Sequence, residues 1–295
     1  MKNTLRSMTG FGRSENATKT FGVVIDLKTL NGKQLDYNLK LPVILKPYEF
    51  DIRAIINEYL VRGSLEFTIT LKQNAESKPA PLNTDLIKSY FRTLQQTASE
   101  LGYNIEGNIF GELIKLPDVV APVAEVLSEE EFNLVKQTLI EACNNLTTHR
   151  IQEGTVLQEE LELRITNIMA YQAKIEELAP QRTIKIKENL YKKITEQINK
   201  DTYDENRLEQ EIIYYIEKID ITEEMVRLKN HCNYFFDVLK EPEIAKGKKI
   251  GFVFQEIGRE INTTGSKAFD SDIQKLVVAM KDELEKAKEQ SLNIL

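Results

Sequence analysis

The sequence predicts an α+β protein: an N-terminal antiparallel or mixed sheet with helices, followed by an all-helical C-terminal half built from long helices. Two observations predict it. Over the first 75 residues apolar positions alternate with a period of two, and from Leu82 onward they recur every three to four residues. A chain of 295 residues has room for two cores. We place the division so that residues 1–125 form an α+β domain and residues 126–295 a helical one.

Val23/Ile25/Leu27, Leu35/Tyr37/Leu39/Leu41 and Leu65/Phe67/Ile69/Leu71 each alternate with polar residues, so each predicts a half-buried strand. Ahead of them, the run from Ser7 to Arg13 reads as a bulged edge strand. It has neither the spacing nor the lysine of a phosphate-binding P-loop. Pro47 to Leu60 reads as a helix, Arg62-Gly63 as the turn into the next strand, and Lys72 to Asn83, with Pro79 and Pro81, as a connector. Leu82, Leu86, Tyr90, Leu94, Ala98 and Leu101 predict a helix that Gly102 stops. Ser128 with Glu131 forms a capping-box pattern, and apolar spacing then persists to Leu178. Unbroken, that helix would be roughly 75 Å long. It is therefore an extended arm or a broken helix, with Pro180 at the bend and a lysine-rich helix, Ile184 to Ile198, returning antiparallel. Asp204 to Leu239 reads as one long helix. Ser271 with Gln274 caps the last, whose stripe is Ile273, Leu276, Val277, Met280, Leu284 and Ala287.

Composition narrows the chemistry. A net charge of −7 argues against indiscriminate nucleic-acid binding but leaves room for a local basic groove. No window approaches the ~18 apolar residues of a transmembrane helix, and the N-terminus lacks a signal-peptide run. We expect a cytoplasmic protein that does not engage a membrane. Cys143 and Cys232 are too few for a disulfide framework and read as small buried residues. Nucleophile elbow, CxxC, HExxH and Rossmann glycine patterns are all absent.

Two stretches could carry chemistry. Asp220, Glu224, Arg227 and His231 fall at i, i+4, i+7 and i+11, one stripe of a helix, beside the apolar stripe Ile221, Met225, Leu228, Cys232 and Phe235. A carboxylate and an imidazole so placed can hold a divalent ion or act as an acid/base pair; equally, Glu224 and Arg227 can form a surface pair. The second stretch runs from Phe252 to Lys267. Phe254, Ile257 and Ile261 share one face, with Glu256, Arg259 and Glu260 opposite. Glu256 and Glu260, one turn apart, suit Mn²⁺ or Mg²⁺. Asn262 to Lys267 reads as a small polar turn suited to phosphate oxygens, with Lys246, Lys248 and Lys249 adding positive charge upstream. His149 reads as a solvated helix position.

At these residues the sequence resembles the YicC/YloC family of bacterial proteins over nearly its whole length. The resemblance rests on Ser7 to Gly12, Leu27 to Asn31 with Leu35-Asp36, Arg62-Gly63, Glu153-Gly154, Ile219 to Glu224, Arg227-Leu228 with His231, Gln255 to Lys267 and Glu289 to Asn293. It implies an endoribonuclease that cuts single-stranded RNA with a divalent metal, Mn²⁺ before Mg²⁺. It further implies a hexameric ring whose helical half moves to enclose the RNA. Carried over by residue, it implies catalytic roles for His231, Glu224, Glu256 and Glu260, and RNA binding by Arg62, Arg227, Arg259, Asn262 and Lys267. The metal would be held by Glu223, Glu224, Glu256 and Glu260. The chain departs from the family pattern at Gly251, where a carboxylate is expected, and at Gly32-Lys33-Gln34, where an arginine or histidine is expected. The expected mechanism has the carboxylates hold a metal that polarises the scissile phosphate, His231 transfer protons, and Arg227, Arg259 and Lys267 neutralise charge. The attacking group is either water or the RNA 2′-OH. A non-catalytic RNA-binding adaptor is the rival reading.

Overall fold

Four strands form where the period-two pattern runs. A computed structural model describes residues 4–18, 21–32, 34–73, 82–104, 107–120, 127–197 and 204–295. Strands β1 (Gly10–Ala17), β2 (Phe21–Leu30), β3 (Leu35–Lys40) and β4 (Gly63–Gln73) make one sheet in the order β1-β2-β4-β3. The β1/β2 and β2/β4 pairs are antiparallel and β3/β4 is parallel, so the sheet is mixed, as expected. Leu27 opposite Phe67 and Ile25 opposite Ile69 bury one face.

The edge strand corrects one expectation. β1 pairs residue for residue with β2, from Gly10 opposite Thr29 to Ala17 opposite Gly22, without a bulge. Its glycines serve close approach instead: a Cβ on Gly12 would lie 2.3 Å from the Ala142 carbonyl oxygen of the long helix behind it.

Between β3 and β4 the chain makes a 3-10 turn, Val43–Tyr48, and then helix α1 (Glu49–Tyr59), whose Ile52 and Ile56 join the sheet core. A crossover helix is what a parallel strand pair requires. Arg62-Gly63 is the turn back; Gly63 sits at φ 117°, a conformation open to glycine.

Residues 74–81 of the expected connector lie outside the described residues. Helix α2 (Thr84–Glu100) is capped by the Asn83 side chain, which accepts from the Leu86 amide, and ends before Gly102 at φ 70°. None of its residues is buried. A short α3 (Ile109–Leu113) follows, with Leu113 buried.

Helix α4 (Glu129–Gln197) begins at the expected capping box: the Ser128 hydroxyl accepts from the Glu131 amide at 3.2 Å while Glu131 accepts from the Ser128 amide at 2.9 Å. It then overturns the predicted bend. Pro180 lies inside one 69-residue helix, roughly 100 Å long, and residues 184–197 extend it rather than turning back. Proline removes one intrahelical bond, but tertiary bonds hold the axis beyond it. Arg182 donates from Nη2 to the carbonyls of Ile219 and Lys267, each at 2.8 Å. The same helix serves two cores. Phe132 to Leu146 pack under the sheet, and Leu161 to Ile175 pack in the helical half.

That half adds α5 (Glu205–Ile219), α6 (Thr222–Lys240), α7 (Gly247–Ala268) and α8 (Ser271–Ser291). The single helix expected from Asp204 to Leu239 is thus two. Asp220 is extended (ψ 135°), and its carboxylate accepts from the Thr222 amide at 3.1 Å and hydroxyl at 2.7 Å. Such a local bond competes with helix continuation. The cap of α8 is Asp270 rather than Ser271; it accepts from the Asp272 and Ile273 amides. Cys143 and Cys232 are both free and buried, as expected. Among the described residues no helix is long and apolar enough to cross a membrane.

Candidate active site

The site is a groove between two antiparallel helices. Only residues 241–246 separate α6 from α7, so the two must fold back on each other as a hairpin. Two observations fix their phase. Lys267 Nζ lies 2.8 Å from Glu224 Oε1, and the Phe235 and Phe254 rings are 5.5 Å apart. Counting between these pairs brings His231 level with residues 258 to 260, the turn that ends in Glu260.

Helical period extends the observed Glu224–Lys267 contact to a second pair of positions. Residues seven apart return to the same face of a helix. His231 therefore shares the face of Glu224, and Glu260 shares the face of Lys267. Four of the expected residues, Glu224, His231, Glu260 and Lys267, so line one groove, at two levels roughly 10 Å apart.

Burial sharpens their roles. Glu224 is 5% exposed; Oε1 takes the Lys267 charge, while Oε2 is buried without a hydrogen-bond partner. Glu260 is 4% exposed, which corrects the expectation that it shares the open face of Glu256 and Arg259. His231 is half-buried and Lys267 keeps 32% of its side chain exposed. The groove thus places carboxylates deep and its imidazole and ammonium near the opening.

The remaining expected residues are distributed around it. Arg227 is exposed at the groove edge and donates to Glu223, an exposed i,i+4 pair. Glu256 and Arg259 are exposed on α7. Asn262 lies well round the helix from Lys267, so it does not face α6. Arg62 is elsewhere, donating to the Ile294 carbonyl at 2.9 Å. Asp220, off the helix, does not extend the Glu224–His231 stripe. Its carboxyl is held below the usual range. Burial works to raise it, but the Thr222 hydroxyl, the Thr222 and Ile221 amides and the Lys267 charge outweigh burial.

The polar turn expected from Asn262 to Lys267 is helical throughout. Its hydroxyls bond back to the helix: Thr263 to the Arg259 carbonyl, Thr264 to that of Glu260 and Ser266 to that of Thr263. The upstream lysines do not charge this groove either. Lys246 is buried and donates to the Leu239 carbonyl, Lys249 pairs with Glu241, and all lie at the other end of α7. Gly251 is nine residues before Glu260, on the opposite side of α7, with open space around its Cβ position. An acidic side chain there would not reach the groove.

The carboxylates decide what metal the site can hold. No three His, Cys, Asp or Glu side chains among the described residues gather at one point. Mn²⁺ and Mg²⁺, however, commonly take one or two carboxylates and complete their shell with substrate phosphates and water. Glu256 and Glu260, at i and i+4, have the spacing for that. Glu223 is spent on Arg227, and Glu224 on Lys267.

Sequence reasoning missed Arg182. It is 4% exposed and ties the ends of α5 and α7 to α4. Burial pulls its guanidinium down, with Asp270 and Asp220 opposing. No periodic signal marked it, because its partners are carbonyls supplied by other helices.

Comparison with known proteins covers the same span. The family description "Endoribonuclease YicC-like, N-terminal region" matches residues 5–159, and "Endoribonuclease YicC-like, C-terminal" matches residues 175–295. A protein named probable endoribonuclease YicC from Clostridioides difficile (strain 630) is 32% identical over 294 residues, 98% of this chain and 99% of that protein. One of the same name from Haemophilus influenzae (strain ATCC 51907 / DSM 11121 / KW20 / Rd) is 28% identical over 295 residues, with the same coverage.

Proposed function

The chain belongs to the YicC-like endoribonuclease family, and on that premise we propose that it cuts phosphodiester bonds within single-stranded RNA in the groove between α6 and α7. The observation that carries this reading is the Lys267–Glu224 contact between α6 and α7, from which helical spacing sets His231 near the level of Glu260.

His231 is half-exposed and free to move a proton at its ring nitrogens. Lys267, Arg227 and Arg259 surround the opening with positive charge and offset the charge that builds on the phosphate oxygens. Lys267 keeps one N–H on Glu224 and, with 32% of its side chain exposed, offers another to a phosphate oxygen. A Mn²⁺ or Mg²⁺ ion, held by Glu256 and Glu260, would polarise the scissile phosphate. The attacking oxygen is that of water or of the RNA 2′-hydroxyl, and His231 serves as proton acceptor in either case.

The unburied helix α2, with Leu94 and its C-cap residue Leu101 exposed, supports assembly into a homo-oligomer, which we propose is a hexameric ring built by residues 1–125. Residues 126–295 would close over the RNA. We place this activity in the cytoplasm.

The test uses purified protein, an internally labelled single-stranded RNA, and Mn²⁺ or EDTA. We expect cutting with Mn²⁺, none with EDTA, and loss of cutting in His231→Ala. A 2′,3′-cyclic phosphate on the product assigns attack to the 2′-hydroxyl; a 5′-phosphate assigns it to water. RNA binding without cutting in the parent protein would sink the enzymatic reading and leave the adaptor.

A further inference from the structure

The two ends of the chain meet in a seam that gathers three arginines from distant parts of the sequence. Ser7 bridges Ile294 antiparallel, and the Leu295 amide donates to the Arg6 carbonyl at 2.9 Å. Behind them α4 passes so closely that a Cβ on Gly154 would lie 2.0 Å from the Leu5 carbonyl oxygen. This contact brings Arg150 under the seam, where its Nε donates to the Ser7 carbonyl at 2.6 Å. Arg62 comes from the turn before β4 and donates to the Ile294 carbonyl. Arg6 shares the seam and makes no side-chain hydrogen bond or ion pair among the described residues.

The seam has more donors than acceptors. Arg150 is 3% exposed, yet its Nη2 has no partner; nor does the buried Nε of Arg62. Burial, then the charges of Arg6 and Arg62, pull the Arg150 guanidinium down to about 10, with Glu153 opposing them. Glu153 is itself engaged, accepting from the Thr9 hydroxyl at 2.8 Å and lying 3.9 Å from His149. Three guanidiniums are thus gathered in a protein of net charge −7, and Glu153, the carboxylate that acts on Arg150, is shared with Thr9 and His149.

We infer that Arg6 and Arg62, backed by Arg150, form a phosphate-binding site at this seam, separate from the groove between α6 and α7. The guanidinium fork matches phosphate oxygens in geometry and charge. Arg6 and Arg62 are half-exposed and form the outer contacts; Arg150 supplies buried charge from behind. Arg62 adjoins Gly247, the first residue of α7, so the site lies roughly 20 Å along that helix from Glu260. Resting on the RNA-cutting reading, the phosphate is one in the RNA backbone, several nucleotides from the bond that is cut. The other source is a free phosphate ion.

The test has two arms on the full chain. In the first, thermal unfolding is followed in sodium phosphate and in sodium chloride at matched ionic strength. Phosphate is expected to raise the Tm of the parent by several degrees over chloride, by mass action on the folded state. Arg6→Gln and Arg62→Lys should each remove at least half of that shift. An equal Tm in the two salts, or an undiminished phosphate shift in both variants, overturns the site. In the second arm, single-stranded RNA binding is measured in EDTA against salt concentration. If the phosphate belongs to RNA, Arg6→Gln lowers the slope of log affinity against log salt by about 0.7. If the slope is unchanged while the phosphate shift is lost, the ligand is free phosphate. Failure to cut any RNA would remove the function proposed above and leave the first arm standing.

Discussion

Lys267 Nζ sits 2.8 Å from Glu224 Oε1, joining the last turn of α7 to the first turn of α6. Glu224 is buried and Lys267 partly exposed, so the pair is asymmetric: the carboxylate depends on the ammonium more than the reverse. Removing one partner of a buried pair leaves an unpaired charge. Lys267→Met should lower unfolding free energy by about 2–3 kcal/mol, discounted for the exposure of the lysine. Adding Glu224→Gln should recover about half, because the charge left behind is gone. Urea unfolding of the two single variants and the double one measures this. Additive losses would show that the pair is not coupled.

Helical spacing from the Glu224–Lys267 contact sets His231 near the level of Glu260. His231→Ala should slow RNA cutting by about 10²-fold or more, the usual scale for a positioned acid or base. Its urea midpoint should remain near that of the parent, because the ring is half-exposed. A variant that cuts at the parental rate would remove His231 from the mechanism. Glu256→Gln should raise the Mn²⁺ concentration needed for half-maximal cutting.

Arg182 fastens α5 and α7 to α4 through two carbonyls. Hydrogen bonds from a charged donor contribute about 1.5–3 kcal/mol each. Arg182→Met should therefore cost about 2–4 kcal/mol, and Arg182→Lys, which retains one donor direction, about half as much. Proteolysis near Ile219 should accelerate in step.

Gly251 stands inside α7 with open space where a Cβ would be. Gly251→Ala should stabilise the protein by about 0.5–1 kcal/mol through helix propensity. Gly251→Asp should leave RNA cutting within about twofold of the parent, since two and a half turns of helix put it on the far side from Glu260. A tenfold rise in rate would place an acid at this position in the site.

Burial pushes the Cys143 and Cys232 thiols up to about 12, from an ordinary value of 9.0. The folded state therefore holds these protons more tightly than the unfolded one. Their stabilising effect is intact below pH 9 and falls as pH rises from about 9 to 12, because unfolded thiols ionise first. The slope expected is about 1.4 kcal/mol per pH unit for each thiol. Neither thiol should react with a disulfide reagent at pH 8 until the protein unfolds. Reaction of the native protein at the rate of a free thiol would contradict this.

Much of the site was legible because the same residues that form the helices also bear the chemistry. Glu224 and His231 at i and i+7, and Glu260 and Lys267 at i and i+7, read as stripes whatever covers them. Glu260 was misplaced because its neighbour Ile261 marks the apolar face, and periodicity alone could not say that α6 would cover the flank as well. The polar run from Asn262 to Lys267 read as a turn because threonines and glycine disfavour helices. Back-bonding of Thr263, Thr264 and Ser266 satisfies their hydroxyls within the helix.

Local spacing and short motifs already specify the strands, the capping box at Ser128, the burial of both cysteines and the family to which the chain belongs. Each rests on local spacing or on ordered short motifs, which survive any arrangement of the elements. Tertiary structure alone decided that Pro180 would not break α4, that Asp220 would divide α5 from α6, and that Arg6, Arg62 and Arg150 would meet. Those outcomes depend on partners far away in the chain. The Lys267 and Ile219 carbonyls hold the helix past its proline, and the paired chain ends carry one arginine to two others.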